Sequence, residues 1–573
     1  MKGLLPPRAI VAAFLAVVCA ASPYFGLPAW TPALATVVAL LAVALMGLNL
    51  IFGNTGMLAF GQAAFVALPG YFAGMLSIHL GLPPVFAIAL GLAGTVAVAN
   101  LVGRIFIRLP GIFFAVGTLG FAFVVEGLAR AFPALTGGAS GLVLGEGLGL
   151  SGDAWYGWSL ATLLAAIASY AYLVRHRYAR TLQVVHHDEL AAAVAGIDVA
   201  KVKLNAFTLG CAYSSVGGVL LAYFVGVVVP ENSGVNRSLE MVGMVMLGGP
   251  GRMLGPLLGA GLVQWLFTAA GFAKQYEVLL YGVAFLGTVL FAREGLGGLL
   301  AAAWRRPFPA GSAPAPVATP GAEAAPPADG SLPPVPALKV SAVAKRFGGV
   351  QAIRDVSFEV WRGEVFTLIG PNGAGKTTLF NIISGLEAPT SGRVFIDGRD
   401  MTTTAIHLRA ASIGRSFQVA RLVPDLTVVE NVMVRLDNVA PHKDEATRRA
   451  EARALLDRFA LGALADARAG SLSAGQRKLV DIVRAALGSP SLLLLDEPAV
   501  GLTDAELDLL AALLDKLKQQ RCGIVLVEHN MAFLRRVAGQ GVVLHGGVVL
   551  ASGSVDAMLK DAAVLDAYLG TIE

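Results

Sequence analysis

The sequence predicts a multi-domain protein, in which an α-helical polytopic membrane domain of about 9–10 spans is followed by an α/β domain of the P-loop type. Two observations predict this order. No Asp, Glu, Lys or Arg occurs in residues 9–103, whereas residues 370–377 read GPNGAGKT, a loop suited to cradling phosphate groups. We therefore place the membrane domain at 1–303, a linker at 304–337 and the P-loop domain at 338–573.

The overall composition is that of a chain partly embedded in lipid. Charged residues make up only 14% of the 573 residues, and the mean hydropathy is +0.69. The net charge of +5 is modest and does not indicate a nucleic-acid partner. The cysteines, Cys19, Cys211 and Cys522, are far apart, so we expect neither a disulfide framework nor a cysteine metal site.

Hydrophobic segments near the length of about 20 residues that crosses a bilayer recur through the N-terminal half. The candidate spans are 9–27, 31–52, 56–80, 84–103, 111–133, 157–174, 204–229, 239–250, 254–272 and 277–292. Lys2 and Arg8 favour a cytoplasmic N-terminus, and the basic loop at 175–180 follows six crossings, where cytoplasm is again expected. A secretory signal is less favoured because further spans follow directly. Because the P-loop domain is expected in the cytoplasm, the chain must cross the membrane an even number of times after residue 203. Two short segments within 239–272, separated by a break at residues 248–251, satisfy this requirement.

A proline-rich segment separates the two predicted domains. Residues 307–336 contain ten prolines among Ala, Gly and Ser, a composition that buries no core and predicts a linker. About 30 residues of coil reach on the order of 30 Å. The P-loop domain is therefore able to lie beneath its own membrane domain. The alternative interpretation is an engineered joint between two separate proteins.

The glycine-rich loop has the strand–loop–helix setting that phosphate binding requires. Residues 356–360 and 365–369 are predicted strands, and a helix is predicted to open after the loop, so that its N-terminus favours an anion. Lys376 supplies a point charge to the β- and γ-phosphates, and Thr377 supplies a hydroxyl to Mg²⁺. The residues of this loop that are predicted to bind ATP are Asn372, Gly373, Gly375, Lys376, Thr377 and Thr378.

An acidic pair ends a run of four leucines at residues 492–495. Asp496 is placed to hold Mg²⁺ through water, and Glu497 is placed to polarise the attacking water. Two adjacent acidic residues are usually part of a solvated turn. At the end of a buried strand they indicate a nucleotide-hydrolysing site instead.

Further elements, in the expected order along the chain, resemble the ABC ATPases. Residues 472–476, LSAGQ, resemble the signature motif, with Ala474 where glycine is commoner. Gln418 resembles the glutamine that senses Mg²⁺ and the membrane domain, His529 the switch histidine at the γ-phosphate, and Phe347 the aromatic that stacks on adenine. The resemblance implies a catalytic set of Glu497, His529, Lys376 and Gln418, a magnesium set of Thr377, Gln418 and Asp496, and further ATP contacts from Phe347, Ser473, Gly475 and Gln476.

In ABC ATPases two domains close head to tail, and each signature covers the ATP bound to the other domain. The resemblance therefore implies that Ser473 and Gly475 act on a partner's nucleotide and that this chain is half of an assembly. One departure lies at residues 501–503, Gly-Leu-Thr, where many members have Asp. The role of that loop is left open by the sequence.

The membrane half resembles the permeases of high-affinity branched-chain amino acid importers. This likeness is carried by residues 47–50, 56–65, 118–121, 136–142 and 238–251, and by 188–197, which corresponds to the cytoplasmic coupling helix. His186 and His187 precede that segment, where the family often has Arg-Glu. A single docking helix over 184–198 is favoured there over a His-His-Asp-Glu metal site. The P-loop domain resembles the matching ATPase subunit at residues 346–349, 426–432 and 567–570.

These resemblances imply half of an ATP-driven importer for branched-chain or related amino acids in a bacterial inner membrane, with ATP and Mg²⁺ as cofactors. The expected partners are the lipid bilayer, a periplasmic solute-binding protein, a small-molecule solute, and either a second permease and a second ATPase or a second copy of this chain. No nucleic acid is expected. The alternatives are urea, amides or aromatic and aliphatic carboxylates as cargo, an exporter half, or a membrane-tethered regulator.

Polar residues within the predicted spans are functional candidates by default. Glu126 and Arg130 lie four apart on one helical face, which favours their pairing with each other over lining the transport path. The uncharged polar residues Asn49, Gln62, Asn205 and Gln264 either join helices or touch substrate, and the sequence favours packing between helices. Gly255 and Gly259 have the spacing that lets two helices approach closely.

Overall fold

The computed structural model describes residues 31–144, 148–269 and 335–569, together with a few residues between 279 and 298. The predicted first span, most of the predicted last span and most of the predicted linker lie outside these described residues. Contacts divide the chain into two compact units. The first holds the N-terminal helices, and the second holds the P-loop domain together with the short segment His187–Asp198.

The first unit consists of helices joined by short connections. In chain order they are α1 Pro32–Leu48, α2 Gln62–Leu80, α3 Pro84–Phe106, α4 Gly111–Ala131, α5 Pro133–Thr136, α6 Gly152–Leu173, α7 His176–His187, then α9 Val199–Val225, α10 Val235–Gly248 and α11 Gly255–Ala269. The intervening α8, Glu189–Val194, belongs to the second unit. A small antiparallel ribbon pairs β1, Leu142–Val143, with β2, Val227–Val228.

Five helices among the described residues are long and apolar enough to cross a membrane: α1 with its π-helical continuation to Gly53, α2, α3, α4 and α9. The pair α6 and α7, bent by 77°, gives a sixth if it counts as one span. The predicted break in 239–272 is confirmed, because α10 ends at Gly248 and α11 begins at Gly255. These two helices lie so close that a Cβ on Gly259 would be 1.9 Å from the Met244 carbonyl oxygen, which agrees with the predicted small-residue contact.

Two of the predicted polar residues join helices in the interior of the first unit. Gln62 donates from Nε2 to Ser214 Oγ at 2.7 Å. Asn49 donates to the Tyr170 hydroxyl at 2.8 Å and accepts from the Gly251 N–H at 2.8 Å. The packing role predicted for Asn49 and Gln62 is therefore confirmed.

The predicted pair of ionisable residues is also present. Arg130 donates to Glu126 Oε1 at 2.9 Å, one helical turn away, and to Glu231 Oε1 at 2.7 Å. Both Arg130 and Glu231 are largely exposed, so solvent weakens these pairs. The arrangement is a local pair joined by a third residue that the sequence analysis did not single out.

The second unit contains two sheets. The antiparallel sheet has the order β4-β3-β6-β7, formed by β3 Leu338–Phe347, β4 Val350–Val360, β6 Ser391–Ile396 and β7 Arg399–Asp400. The other sheet has the order β12-β11-β5-β10-β9-β8, formed by β5 Val365–Ile369, β8 Ile413–Arg415, β9 Leu492–Asp496, β10 Gly523–Val527, β11 Gln540–His545 and β12 Val548–Ser554. Within this sheet all neighbouring strands are parallel except β12.

Helices cover the strands of the second unit. They are α12 Lys376–Ser384, α13 Ile406–Arg409, α14 Val428–Val439, α15 Glu445–Arg458, α16 Ala474–Ala486, α17 Asp504–Gln519, α18 Met531–Val537, α19 Val555–Met558 and α20 Ala562–Leu569. The apolar runs of β5, β9 and β10 are buried almost throughout, as expected for parallel strands with covered faces.

Strand register brings the polar residues of the second unit to one edge. Val527, the last residue of β10, pairs with Asp496, the last residue of β9. Arg415, which ends β8, pairs with Leu494. The loops that follow these strands therefore leave at the same carboxyl edge, which is where open α/β sheets bind ligands.

Candidate functional site

The glycine-rich loop turns directly from a buried strand into a helix. β5 ends at Ile369 and α12 begins at Lys376, as predicted from the strand–loop–helix pattern. Gly375 has φ of +102°, and a Cβ there would lie 2.8 Å from the Ala352 carbonyl oxygen. Only glycine suits this position, because any side chain would be strained and would clash with β4. The exposed members of the loop are Asn372, Gly373 and Thr377, and Thr378 is half-buried.

Lys376 is buried at the start of α12. Its Nζ donates to the carbonyl oxygens of Gly370 at 2.5 Å and Pro371 at 3.0 Å. Burial lowers the pKa of Lys376, and the carboxylates of Glu497 and Asp496 oppose that shift. An ammonium held by carbonyls of its own loop can exchange them for phosphate oxygens when a nucleotide binds.

The acidic pair stands at the end of β9. Burial raises the pKa of Asp496, while the nearby Arg415 guanidinium lowers it. Glu497 has φ of +46°, a left-handed conformation that is uncommon for a residue with a side chain. Its N–H donates to the Val527 carbonyl at 2.9 Å, so the turn after β9 is fixed against the end of β10.

Two of the other predicted catalytic residues contact the Glu497 carboxylate. Gln418 donates from Nε2 to Glu497 Oε2 at 2.7 Å. His529 Nε2 lies 3.3 Å from Glu497 Oε1. Each carboxylate oxygen is thus engaged by a side chain from a different loop at the sheet edge. Such an arrangement is suited to orienting a water molecule and accepting its proton.

The signature residues form a separate group at the start of α16. Ser473 is the N-cap, and its Oγ accepts from the Gln476 N–H at 3.1 Å. Gln476 Oε1 accepts from the Ser473 N–H at 3.1 Å, which completes a capping box. Gly475 lies against the Glu506 side chain, since a Cβ there would be 2.2 Å from Glu506 Oε1. Ser473 itself is exposed.

Phe347 lies at the end of β3, and its side chain is 45% exposed. Lys345 Nζ stands 4.8 Å from the centre of the ring. A largely exposed aromatic ring at a strand end offers a face on which a base can stack.

Comparison with known proteins matches both halves of the chain. Residues 31–292 match the family model described as branched-chain amino acid transport system / permease component, and residues 353–500 match the ABC transporter model. The chain is 35% identical over 250 residues to the high-affinity branched-chain amino acid transport ATP-binding protein BraF of Pseudomonas aeruginosa, an alignment that covers 41% of this chain and 98% of BraF. The chain belongs to the ABC transporter family.

Other curated relatives also match the ATPase half of this ABC transporter. The high-affinity branched-chain amino acid transport ATP-binding protein LivG of Salmonella typhimurium is 34% identical over 250 residues, covering 41% of this chain and 98% of LivG. The lipopolysaccharide export system ATP-binding protein LptB of Acidithiobacillus ferridurans is 34% identical over 234 residues, covering 41% of this chain and 96% of LptB. The chain is thus a multi-pass ABC transporter that joins a permease domain to an ATPase, in which ATP hydrolysis is coupled to transport.

Residues 501–503 of this ABC transporter differ from the pattern with Asp that many ABC ATPases have, but the following helix still begins with a complete N-cap. Thr503 is the N-cap of α17, and its Oγ1 accepts from the Glu506 N–H at 3.4 Å. Glu506 Oε2 accepts in return from the Thr503 N–H at 2.9 Å. Threonine is itself a favoured N-cap residue. The loss of Asp at this loop therefore leaves its local structure intact.

The segment 187–198 of this ABC transporter groups with the ATPase unit. Asp188 accepts from the Ala191 N–H at 2.8 Å and thereby caps α8, and it also pairs with Arg421. Ala191 and Val194 of α8 pack against Phe417, the neighbour of Gln418. The predicted single helix over 184–198 is wrong, because α7 ends at His187 and the extended backbone of Asp188 starts a new helix.

Asp188 thus uses its carboxylate for a helix cap and an ion pair. Among the described residues, no group of three or more His, Cys, Asp or Glu side chains is placed to hold a metal ion.

Glu528 is a buried residue of the site that sequence reasoning missed. Its side chain accepts from the N–H groups of Ala499 at 2.6 Å, His529 at 2.9 Å and Asn530 at 3.2 Å. This carboxylate fixes the backbone on both sides of the Glu497–His529 contact. The available signal was an acidic residue that directly follows the buried strand β10, in the same relation as Glu497 to β9.

Proposed function

We propose that this chain is half of an ABC importer that moves branched-chain or related amino acids across a bacterial inner membrane, with ATP hydrolysis coupled to alternating access. One observation carries the proposal. A permease domain whose family model is described for branched-chain amino acid transport is joined in one chain to an ATPase that is 35% identical to BraF. The permease half thus indicates this cargo class, and the relatives of the ATPase half include proteins of branched-chain amino acid transport.

The proposed hydrolysis begins with ATP on the glycine-rich loop. Lys376 exchanges its loop carbonyls for the β- and γ-phosphates, and Phe347 stacks on the adenine. Thr377, Asp496 and Gln418 would hold Mg²⁺, which neutralises charge that develops on the phosphates. A hydroxyl, a carboxylate and an amide oxygen suit this hard cation, and Gln418 bonds Glu497 through its amide nitrogen, which leaves its amide oxygen for the metal.

Glu497 is the proposed general base of the reaction. The carboxylate accepts a proton from the attacking water, while Gln418 and His529 hold its two oxygens in a fixed direction. His529 lies 3.3 Å from Glu497 Oε1, and we propose that it also contacts the γ-phosphate. The buried Glu528 keeps the main chain of His529 in place.

The signature residues act in trans in this proposal. The capping box of Ser473 and Gln476 is separate from the hydrogen bonds around Glu497. We therefore assign Ser473, Gly475 and Gln476 to the ATP of a second ATPase domain. The complete importer then contains a second permease and ATPase, or a second copy of this chain, together with a periplasmic solute-binding protein.

The direction of transport rests on the membrane half. The ATPase half is similar both to BraF and LivG and to LptB, whose name describes an export system. Its sequence therefore does not decide between import and export. The permease model, matched over residues 31–292, favours import of a small solute.

The test is uptake of labelled leucine by cells of the source organism with and without this gene. We expect uptake to fall on deletion and to return with the wild-type gene. Unchanged leucine uptake, with loss of labelled urea or benzoate uptake in the same deletion strain, would overturn the cargo class but keep the importer. Loss of efflux alone would identify an exporter half instead.

A further inference from the structure

The helix that carries the signature also carries three buried charged residues with no role in the sites described above. Lys478, Asp481 and Arg484 lie on α16, and their side chains are almost completely buried. A charge is costly to bury unless it is paired or hydrogen-bonded. The partners of these three residues are therefore informative.

Lys478 places its ammonium on the main chain that carries the water-polarising pair. Nζ donates to the carbonyl oxygens of Phe417 at 2.8 Å, Gln418 at 2.6 Å and Asp496 at 3.3 Å. The second carbonyl belongs to Gln418 itself, and the third belongs to the peptide that joins Asp496 to Glu497. An ammonium has three N–H donors, and all three are used here.

Asp481 and Arg484 complete the contact between α16 and this loop. Asp481 accepts from the Phe417 N–H at 3.3 Å and pairs with Arg484 at 2.5 Å. Arg484 donates to the Arg421 carbonyl at 2.8 Å. Burial raises the pKa of Asp481, and the two cations lower it. One helix thus holds the main chain on both sides of Gln418.

We propose that Lys478 is a positioning residue for ATP hydrolysis, which fixes the main chain of Gln418 and Asp496 so that the Gln418 amide meets the Glu497 carboxylate. Gln418 and Glu497 lie in the loops that follow different strands, β8 and β9, and their contact at 2.7 Å depends on both main chains. The Lys478 ammonium bonds to both main chains. It touches neither the nucleotide-binding loop nor the Glu497 side chain in the hydrogen bonds of the described residues.

The chemistry of the contact explains why a lysine is suited to it. Three carbonyl oxygens from two chain segments face one compact cation. A methionine of similar length would leave these buried acceptors without a donor, and the segments would separate to reach water. A shift of about 1 Å in catalytic geometry is enough to reduce a rate on the order of 100-fold.

The test uses the full-length chain, purified from membranes with the subunits that accompany it. We expect Lys478→Met and Lys478→Gln to reduce kcat for ATP hydrolysis on the order of 10- to 100-fold. The dissociation constant for ATP, measured at equilibrium, should stay within about threefold, because Lys478 bonds to no residue of the glycine-rich loop that holds the phosphates. Lys478→Arg, which keeps the charge and the donors, should recover part of the rate. If Lys478→Met does not fold, the Gln variant, which keeps two N–H donors, carries the test.

A double-mutant cycle separates positioning from a general structural effect. If Lys478 acts through Gln418, the loss caused by Lys478→Gln should shrink to about threefold or less in a Gln418→Ala background, because the group to be positioned is gone. Equal losses in both backgrounds would overturn the proposal. An unchanged kcat in folded Lys478→Gln, or a fall in kcat matched by an equal loss of ATP affinity, would also overturn it.

The matched control is another buried cation that bonds to three carbonyls. Arg435 donates to the carbonyl oxygens of Leu487 at 2.7 Å, Ala410 at 2.6 Å and Ile413 at 3.0 Å. Arg435→Met should lower the melting temperature but leave kcat of the folded protein within about twofold. A fall in kcat as large as that of Lys478→Met would show that any buried cation has this effect, and would overturn the specific role of Lys478.

Discussion

Two glutamines, one in each unit, make side-chain hydrogen bonds of the same length and serve different ends. Gln62 donates to Ser214 at 2.7 Å in the first unit, and its side chain is buried. Gln418 donates to Glu497 at 2.7 Å in the second unit, at an exposed edge of the sheet. The buried hydrogen bond of Gln62 has no access to solvent and can only hold helices together. The hydrogen bond of Gln418 is reached by solvent, so Gln418 is also able to exchange its partner for a ligand.

The same contrast extends to the neighbours of each glutamine. The partners of the Gln62 amide are the Ser214 hydroxyl and, at 3.9 Å, the Cys211 sulfur, and Ser214 itself donates to the Ala44 carbonyl. The Gln418 amide instead bonds to an ionisable group, the Glu497 carboxylate, which His529 also contacts. Changes around Gln418 should therefore alter turnover at nearly constant stability, whereas changes around Gln62 should alter stability at nearly constant turnover.

The largest effect is expected at Glu497. Glu497→Gln should reduce ATP hydrolysis by on the order of 100-fold or more while ATP binding is retained, because the amide cannot accept the proton of water. Steady-state phosphate release and equilibrium ATP binding measure the two quantities. Glu359→Gln, which alters an exposed carboxylate paired with Lys339, is the control. Hydrolysis near the wild-type rate in Glu497→Gln would contradict its assignment as the base.

Lys376 should be the next most sensitive position. Lys376→Ala removes the cation that lies on the Gly370 and Pro371 carbonyls, and we expect ATP affinity to fall by roughly 10- to 100-fold because a charge-assisted phosphate contact is lost. Equilibrium binding of a fluorescent ATP analogue measures this. Tight binding by a folded Lys376→Ala protein would count against the phosphate-loop assignment.

A smaller effect is expected at the docking segment. Asp188→Ala removes the ion pair with Arg421 and the cap of α8. We expect leucine uptake per ATP hydrolysed to fall by about 2- to 10-fold, since the segment beside Phe417 loses one of its anchors. The charge exchange Asp188→Arg with Arg421→Asp should restore part of the ratio. A ratio unchanged by Asp188→Ala would show that this contact does not transmit motion.

The smallest effect is expected at Gln62. Gln62→Leu removes the bond to Ser214, and we expect a loss of about 0.5–2 kcal/mol in the free energy of unfolding, the range for hydrogen bonds between membrane helices. Thermal unfolding of the detergent-solubilised protein measures it, with ATP hydrolysis of the folded fraction as the comparison. A large loss of turnover without loss of stability would remove the distinction between the two glutamines.

The sequence predicted those features that depend on short stretches of chain. The glycine loop between β5 and α12, the acidic pair after β9 and the break between α10 and α11 each follow from residue types within about ten positions. Their local chemistry leaves few other structures. For the same reason α17 keeps its N-cap, since the threonine at position 503 caps the helix in a loop where Asp is commoner.

The features that the sequence did not predict depend on contacts between distant segments. Lys478 meets Gln418, 60 residues earlier, and Arg421 meets Asp188 across 233 residues. Neither partner follows from local periodicity. The break at Asp188 was also missed, because an Asp within a helical pattern is compatible with both a helix interior and an N-cap.

The central claim, that Glu497-dependent ATP hydrolysis drives amino acid import, is tested most directly in the deletion strain. Labelled leucine uptake is measured after complementation with the wild-type gene or with Glu497→Gln, at matched amounts of protein in the membrane. We predict that the wild type restores uptake and that Glu497→Gln, although it binds ATP, restores none. Equal restoration by both would contradict the claim, because transport would then proceed without the proposed base.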